Sequence, residues 1–373
     1  MTPAGKRATA AILVATAGAA LWWSRAHTPA SVTRPADPVP VRRGAPDLEA
    51  ERSMAENSAR RRMDSDWKSL LTWLRSVPPP SAEEVRLRLL QLRKDWSEID
   101  PQIRAEMIDR LLATGEDMPT GLEFRVGVHG LLAEWSTLRV FLLDVLATAD
   151  PQAAAAIATR LLDSTSSADE YATALRSHTR PGSGVSKDEL QSRFQTLLAR
   201  PEWQTSRGFA EALDLARYLG TPAAARQLTS WNGNPGLKKL ALDEFSAAHP
   251  QAMLDVLAED TSVTGPPRAG LMARALPEDP AQLAQVDRYL ATPGLSDEEV
   301  TAFLRSYPLR SATTGHRLYA KLPAPYNFEQ IRSGDRAALQ QAERWAADPA
   351  LERFLPEIQS LQDRLGEWVR QAE

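Results

Sequence analysis

The side chains of this chain that could do chemistry are five histidines, several adjacent carboxylates, one serine between glycines, and the tryptophans. A metal site on helices needs converging ligands, commonly two histidines one turn apart with a carboxylate. His27, His129, His178, His249 and His316 are far more than one turn apart. The sequence therefore predicts no metal ligand and no cofactor, and His249, ahead of Pro250, reads as a helix cap. No Gly-x-x-x-x-Gly-Lys phosphate loop, Gly-x-Ser-x-Gly elbow or dinucleotide fingerprint occurs. Gly182-Ser183-Gly184 follows Pro181 and reads as a turn. With no cysteine, thiolate chemistry, disulfides and cysteine-ligated metals are excluded.

Two carboxylates facing one sugar could hydrolyse a glycosidic bond. Glu83/Glu84, Glu116/Asp117, Asp169/Glu170, Asp188/Glu189, Glu259/Asp260 and Glu298/Glu299 supply pairs. Most stand at helix starts, where negative charge suits the dipole, or at loop edges. The main reading is therefore a non-enzymatic protein; a cell-wall polysaccharide-acting enzyme or accessory factor with dispersed carboxylates is the alternative. Of ten tryptophans, eight lie beyond residue 23. Trp231, before an Asn-Gly-Asn-Pro-Gly turn, and Trp345, beside Arg344, are expected to be partly exposed. Trp231, Trp345 and Arg344 are the candidate partner-binding residues, because Trp and Arg anchor protein interfaces. Arg60, Arg61 and Arg62 fan around a helix near the N-terminal segment. They are a candidate membrane-surface patch, or a solvated face paired with acids such as Glu56 and Asp64.

The elements that must position these residues begin with an uncharged apolar run at residues 8–23, preceded by Lys6 and Arg7 and closed by Arg25. At about 1.5 Å per residue its 16 residues reach roughly 24 Å, a little short of the roughly 30 Å hydrocarbon core and within the long end of a signal-peptide apolar region. Trp22 and Trp23 favour an uncleaved anchor with its N-terminus inside, and Ala17-Gly18-Ala19 a cleaved signal. Residues 1–25 are thus a signal-anchor or signal peptide. Either reading places the rest in the cell envelope, anchored in the inner membrane and facing the periplasm, or secreted. Residues 26–46, rich in Pro and Arg, read as a disordered linker.

Residues 47–373 read as one α-helical domain. Ser81-Ala82-Glu83-Glu84 is a capping box, and Ser296-Asp297-Glu298-Glu299 has the same arrangement. Apolar residues then fall three and four apart, as in Val85, Leu89, Leu92 and Trp96, and strand alternation is nearly absent. A second signal, a polar residue followed by Pro, starts helices at Asp100, Asp150, Thr221, His249, Asp279 and Asp348. Leu143-Asp144 runs into Asp150-Pro151 and Leu242-Asp243 into His249-Pro250 with almost no loop, which predicts tight helical hairpins. Starts 28 to 30 residues apart (221, 249, 279), with others near 70 apart, give a hairpin-sized unit.

These aliphatic helix pairs joined at Asp/His-Pro-x-Ala starts, over roughly 100–355, resemble the HEAT-like and related α-solenoid repeats. The resemblance implies a right-handed α-solenoid of stacked helical hairpins that binds proteins or peptides along a curved face; it carries over no functional residue. Through Asp95 there are 16 Lys+Arg against 10 Asp+Glu, and the remainder of the 44 and 48 is 28 against 38. An acidic array outside the cytoplasm does not suit nucleic acid. The function expected is a cell-envelope scaffold or adaptor that binds a protein or peptide and meets the membrane through its N-terminal helix.

Overall fold

The computed structural model describes residues 48–310, 317–319 and 328–371. The apolar run 8–23 and the linker 26–46 lie outside the described residues. Among those described, the chain is mostly helical, with almost no strand. The helices are α1 (Leu48–Leu74), α2 (Ala82–Ser97), α3 (Pro101–Ala113), α4 (Leu138–Leu146), α5 (Pro151–Leu162), α6 (Ala168–His178), α7 (Lys187–Leu198), α8 (Arg207–Ala212), α9 (Asp214–Leu219), α10 (Pro222–Ser230), α11 (Pro235–Ala248), α12 (Pro250–Glu259), α13 (Gly265–Met272), α14 (Pro280–Leu290), α15 (Asp297–Ser306), α16 (Phe328–Ala346) and α17 (Leu355–Gln371). Arg52–Glu373 forms one unit, and all that follows concerns it.

Each start is fixed locally. Asp100, Asp150, Thr221, Asn234 and Asp279 accept from amides of the first turn while Pro occupies the first helical position. Ser81 and Glu84 make both arms of their capping box. The second box forms only one arm. Ser296 accepts from the Glu299 amide, but the Glu299 carboxylate turns inward, taking the Tyr289 hydroxyl at 3.0 Å and the Gly265 amide at 2.7 Å. His249 precedes α12 but makes no side-chain cap; its Nε2–H donates to the Arg217 carbonyl at 2.7 Å.

Helix ends are satisfied by long-range basic donors, which answers the problem of the last four carbonyls. Arg104 of α3 donates to Trp96 O and Thr148 O, at the ends of α2 and α4. Arg139 reaches Leu112 O, Lys238 reaches Thr229 O, and Arg268 reaches Leu257 O. Arg364 of α17 donates to Leu304 O, Arg305 O and Tyr307 O, closing α15. Positive charge at a helix C-terminus also suits the dipole. Burial lowers the pKa of Arg104, with the Arg180 charge adding to the effect, and lowers that of Arg364.

Packing follows chain order. α4 meets α2, α3 and α6; α5 meets α3 and α6; α10, α11 and α12 meet one another; α13 meets α11, α12 and α15; α17 meets α15 and α16. The buried apolar side chains form one cluster from Met63 to Leu365. Predicted stripes such as Val85, Leu89, Leu92 and Trp96 all lie in it. The two tight hairpins join α4 to α5 and α11 to α12.

One element departs from the sequence expectation. A short antiparallel pair, β1 (Arg125–Val126) and β2 (Leu132–Glu134), stands between α3 and α4, with His129 left-handed in its tip. It is held by Asp144 of α4, which is 0% exposed. One Asp144 oxygen accepts from the Leu132 amide (3.0 Å) and Arg176, the other from Trp135 Nε1 (2.9 Å) and Arg93 (3.2 Å). Arg93 and Arg176 also donate to Leu132 O and Gly130 O. A buried carboxylate with two guanidiniums and two N–H donors is fully compensated, so the hairpin is fixed by charge rather than by strand propensity.

Candidate functional site

A concavity of about 850 Å³ opens between α11 and α13. Pro235, Lys238, Lys239, Leu242 and Asp243 form one wall. Their spacing of three and four places them on a single face of α11, because Asn234 fixes where that helix begins. Ser262, Val263, Thr264, Pro266, Pro267, Gly270, Leu271 and Arg274 form the other wall. Leu309 closes one end, its amide donating to Ala273 O at 2.7 Å. A Cβ at Gly270 would meet nothing within 4 Å, so the groove is open there. Leu242, Val263 and Leu271 make its apolar floor, with exposed prolines at its lip.

Its polar edge is basic. Lys238, Lys239 and Arg274 line it against one acid, Asp243. Lys239 is exposed and sits 2.7 Å from Asp243. Lys238 donates to Thr229 O, and burial lowers its pKa, against the pull of Asp260. The Asp260 carboxylate is held below its usual range by hydrogen bonds from Ser262 and Thr229. Leu240, 51% exposed, stands on α11 beside this wall. Such an arrangement can receive apolar side chains and pair with negative charge.

The residues nominated from sequence fall elsewhere. Trp231 is 7% exposed, not partly open: its indole packs on Phe209 at 5.8 Å and is covered by Gly233. A Cβ at Gly233 would overlap the ring, so the glycine turn expected to expose this tryptophan instead folds over it. Trp345 is 3% exposed, stacked edge-on to Phe303 and Tyr307, with Nε1–H donating to Asp287 at 2.8 Å. Arg344 is exposed and donates to Gln341. The two tryptophans pack against different aromatic partners, Trp231 on Phe209 and Trp345 on Phe303 and Tyr307.

Arg60 pairs with Glu56 and Glu106, and Arg62 stands 3.8 Å from Asp95. Asp64 instead takes Lys68 and Arg110. Arg61 alone of the three is exposed without an ion pair among the described residues. His178 is buried, its Nε2 near Ala155 O and Thr159 Oγ1, with burial lowering its pKa. No group of three or more metal-ligating side chains converges among the described residues. No helix among them is long and apolar enough to cross a membrane.

The groove residues were not nominated from sequence. Asn-Gly-Asn-Pro-Gly was legible only as a turn after Trp231. The usable signal was Lys238-Lys239 three and four residues ahead of Leu242, opposite a pair of prolines. No protein-family model matches this chain, and no curated protein and no solved structure matches it.

Proposed function

We propose that this chain is a non-enzymatic protein-binding scaffold of the cell envelope, a right-handed, HEAT-like α-solenoid that takes its partner in the α11–α13 groove. The observation that carries the reading is the open apolar groove with a basic edge. Apolar surface left open beside fixed charge marks recognition surfaces. Packing of the helices from α2 to α17 on neighbours one to three along the chain supports the stacked-hairpin arrangement. The partner suited to the groove is a protein segment with an apolar ridge and acidic flanks. The envelope address rests on Lys6, Arg7 and the apolar run 8–23, which would anchor or export the array.

A photo-crosslinking residue at Thr264 in the full chain, expressed in envelope-bearing cells, tests this. Thr264 should capture a discrete protein that a probe at exposed Glu367 on α17 does not. Adding Lys239→Glu and Pro267→Glu should remove the adduct, since both place negative charge at the basic edge while Glu suits the first turn of α13. Equal adducts at Thr264 and Glu367, or an adduct indifferent to the reversal, would reject the groove.

A further inference from the structure

A second feature lies on α11, one residue past the groove wall. Arg317, Leu318 and Tyr319 belong to no helix or strand, yet Leu318 is 2% exposed and Tyr319 is nearly as buried. Arg317 reaches the Glu244 carboxylate through both terminal nitrogens, each at 2.7 Å, in a two-pronged ion pair. The Tyr319 amide donates to Asp214 at 3.0 Å, and its hydroxyl donates to Ala172 O at 2.7 Å. Gly130, at the β1–β2 tip, lies against the Leu318 carbonyl so closely that a Cβ would stand 2.6 Å from that oxygen. Gly130 also has φ +73°, which glycine alone adopts freely.

Two details separate this from ordinary loop packing. The anchors are 73, 105 and 147 residues away in sequence, so among the described residues the tripeptide is held by distant parts of the chain. The socket also reads three kinds of group at once: a guanidinium, a main-chain N–H and a phenol. An apolar plug would need none of them. Glu211 adds a third carboxylate facing Arg317, flanked by Arg207, Asp214 and Glu244, with burial raising its pKa. An acidic socket with a tight glycine against backbone and a deep ring pocket has the parts of a short-peptide site.

We propose that this socket is a recognition site for short peptide segments of the pattern arginine, aliphatic, tyrosine, and that residues 317–319 are its resident occupant, competing in cis with such a segment from another chain. The site is distinct from the α11–α13 groove and stands whether or not that groove binds a partner.

The test uses the full chain and a fluorescent peptide of the sequence Thr-Gly-His-Arg-Leu-Tyr-Ala-Lys-Leu. Wild type should bind it weakly because the resident occupies the socket. Arg317→Ala with Tyr319→Ala should bind it about tenfold or more tighter, the scale of one lost charge-assisted hydrogen bond. Adding Glu244→Ala should abolish that gain, and a peptide carrying Glu for Arg and Ala for Tyr should not bind. Should the double alanine variant fail to melt cooperatively, Arg317→Lys with Tyr319→Phe keeps charge and ring while loosening the resident. That variant should bind the peptide severalfold tighter than wild type. A folded variant that binds no better than wild type would overturn the proposal and leave residues 317–319 as a structural plug.

Discussion

The Asp144 centre and the α11–α13 groove treat surface in opposite ways. Around Asp144, two arginines, an indole and a backbone amide saturate one buried carboxylate and seal the β1–β2 hairpin against α4. Along α11 and α13, exposed prolines rim a concavity floored by Leu242, Val263 and Leu271, and charge gathers at the edge. The first arrangement can only hold the chain together, since nothing remains unmet for a ligand to satisfy. The second leaves contacts unmade, which is what binding requires. Around Asp144 the buried charge is architectural, whereas the concavity along α11 and α13 is the surface that the proposed partner would cover.

The largest effect that could break this contrast is Asp144→Ala. It strands Arg93 and Arg176 inside the protein and should cost about 3–5 kcal/mol, read by urea denaturation. A loss well under 1 kcal/mol would mean the centre is not structural. Next is Arg364→Met, which uncaps the carbonyls ending α15 and should cost about 1.5–3 kcal/mol. Limited proteolysis should then release α17 first. Gly233→Ala forces the added methyl into Trp231 and should cost about 1–3 kcal/mol; its tryptophan emission should shift red as the indole leaves its contact with Phe209.

Glu211→Gln carries the smallest effect and sharpens the picture of the acidic socket. The raised pKa means the folded protein binds this proton more tightly than the unfolded chain does. Stability from this group is therefore full below the ordinary Glu range and is lost as pH rises through the folded value. The glutamine variant should be more stable than wild type at neutral pH, with the difference vanishing in acid. Paired denaturation curves at the two pH values read this directly, and a difference of the opposite sign would contradict burial as the dominant cause.

Helix starts were legible because their causes are local. Asp100, Asp150, Thr221 and Asp279 cap the helix that the next proline begins. The ends were not legible, since Arg104, Arg268 and Arg364 act across 8 to 60 residues. The same holds for Asp144, whose partners lie 9 to 51 residues away, so neither it nor the β pair it fixes left a pattern. Glu299 had the right spacing for a capping box, and only the presence of Tyr289 and Gly265 draws it inward. Trp231 and Trp345 show the limit of reading exposure from neighbours: one is covered by its own glycine turn, the other by α14 and α15. The groove was invisible for the converse reason, because concavity belongs to two helices and a residue near 309 together.

The most direct test begins with the protein captured at Thr264. Its affinity would be measured by calorimetry against wild type and against Lys239→Glu with Pro267→Glu. These exposed substitutions should change stability by only about 0.5 kcal/mol. The account predicts an affinity at least about tenfold weaker for the reversed groove, a difference of about 1.4 kcal/mol, with the wild-type affinity falling as salt rises. Equal affinity for the two, unaffected by salt, would contradict it.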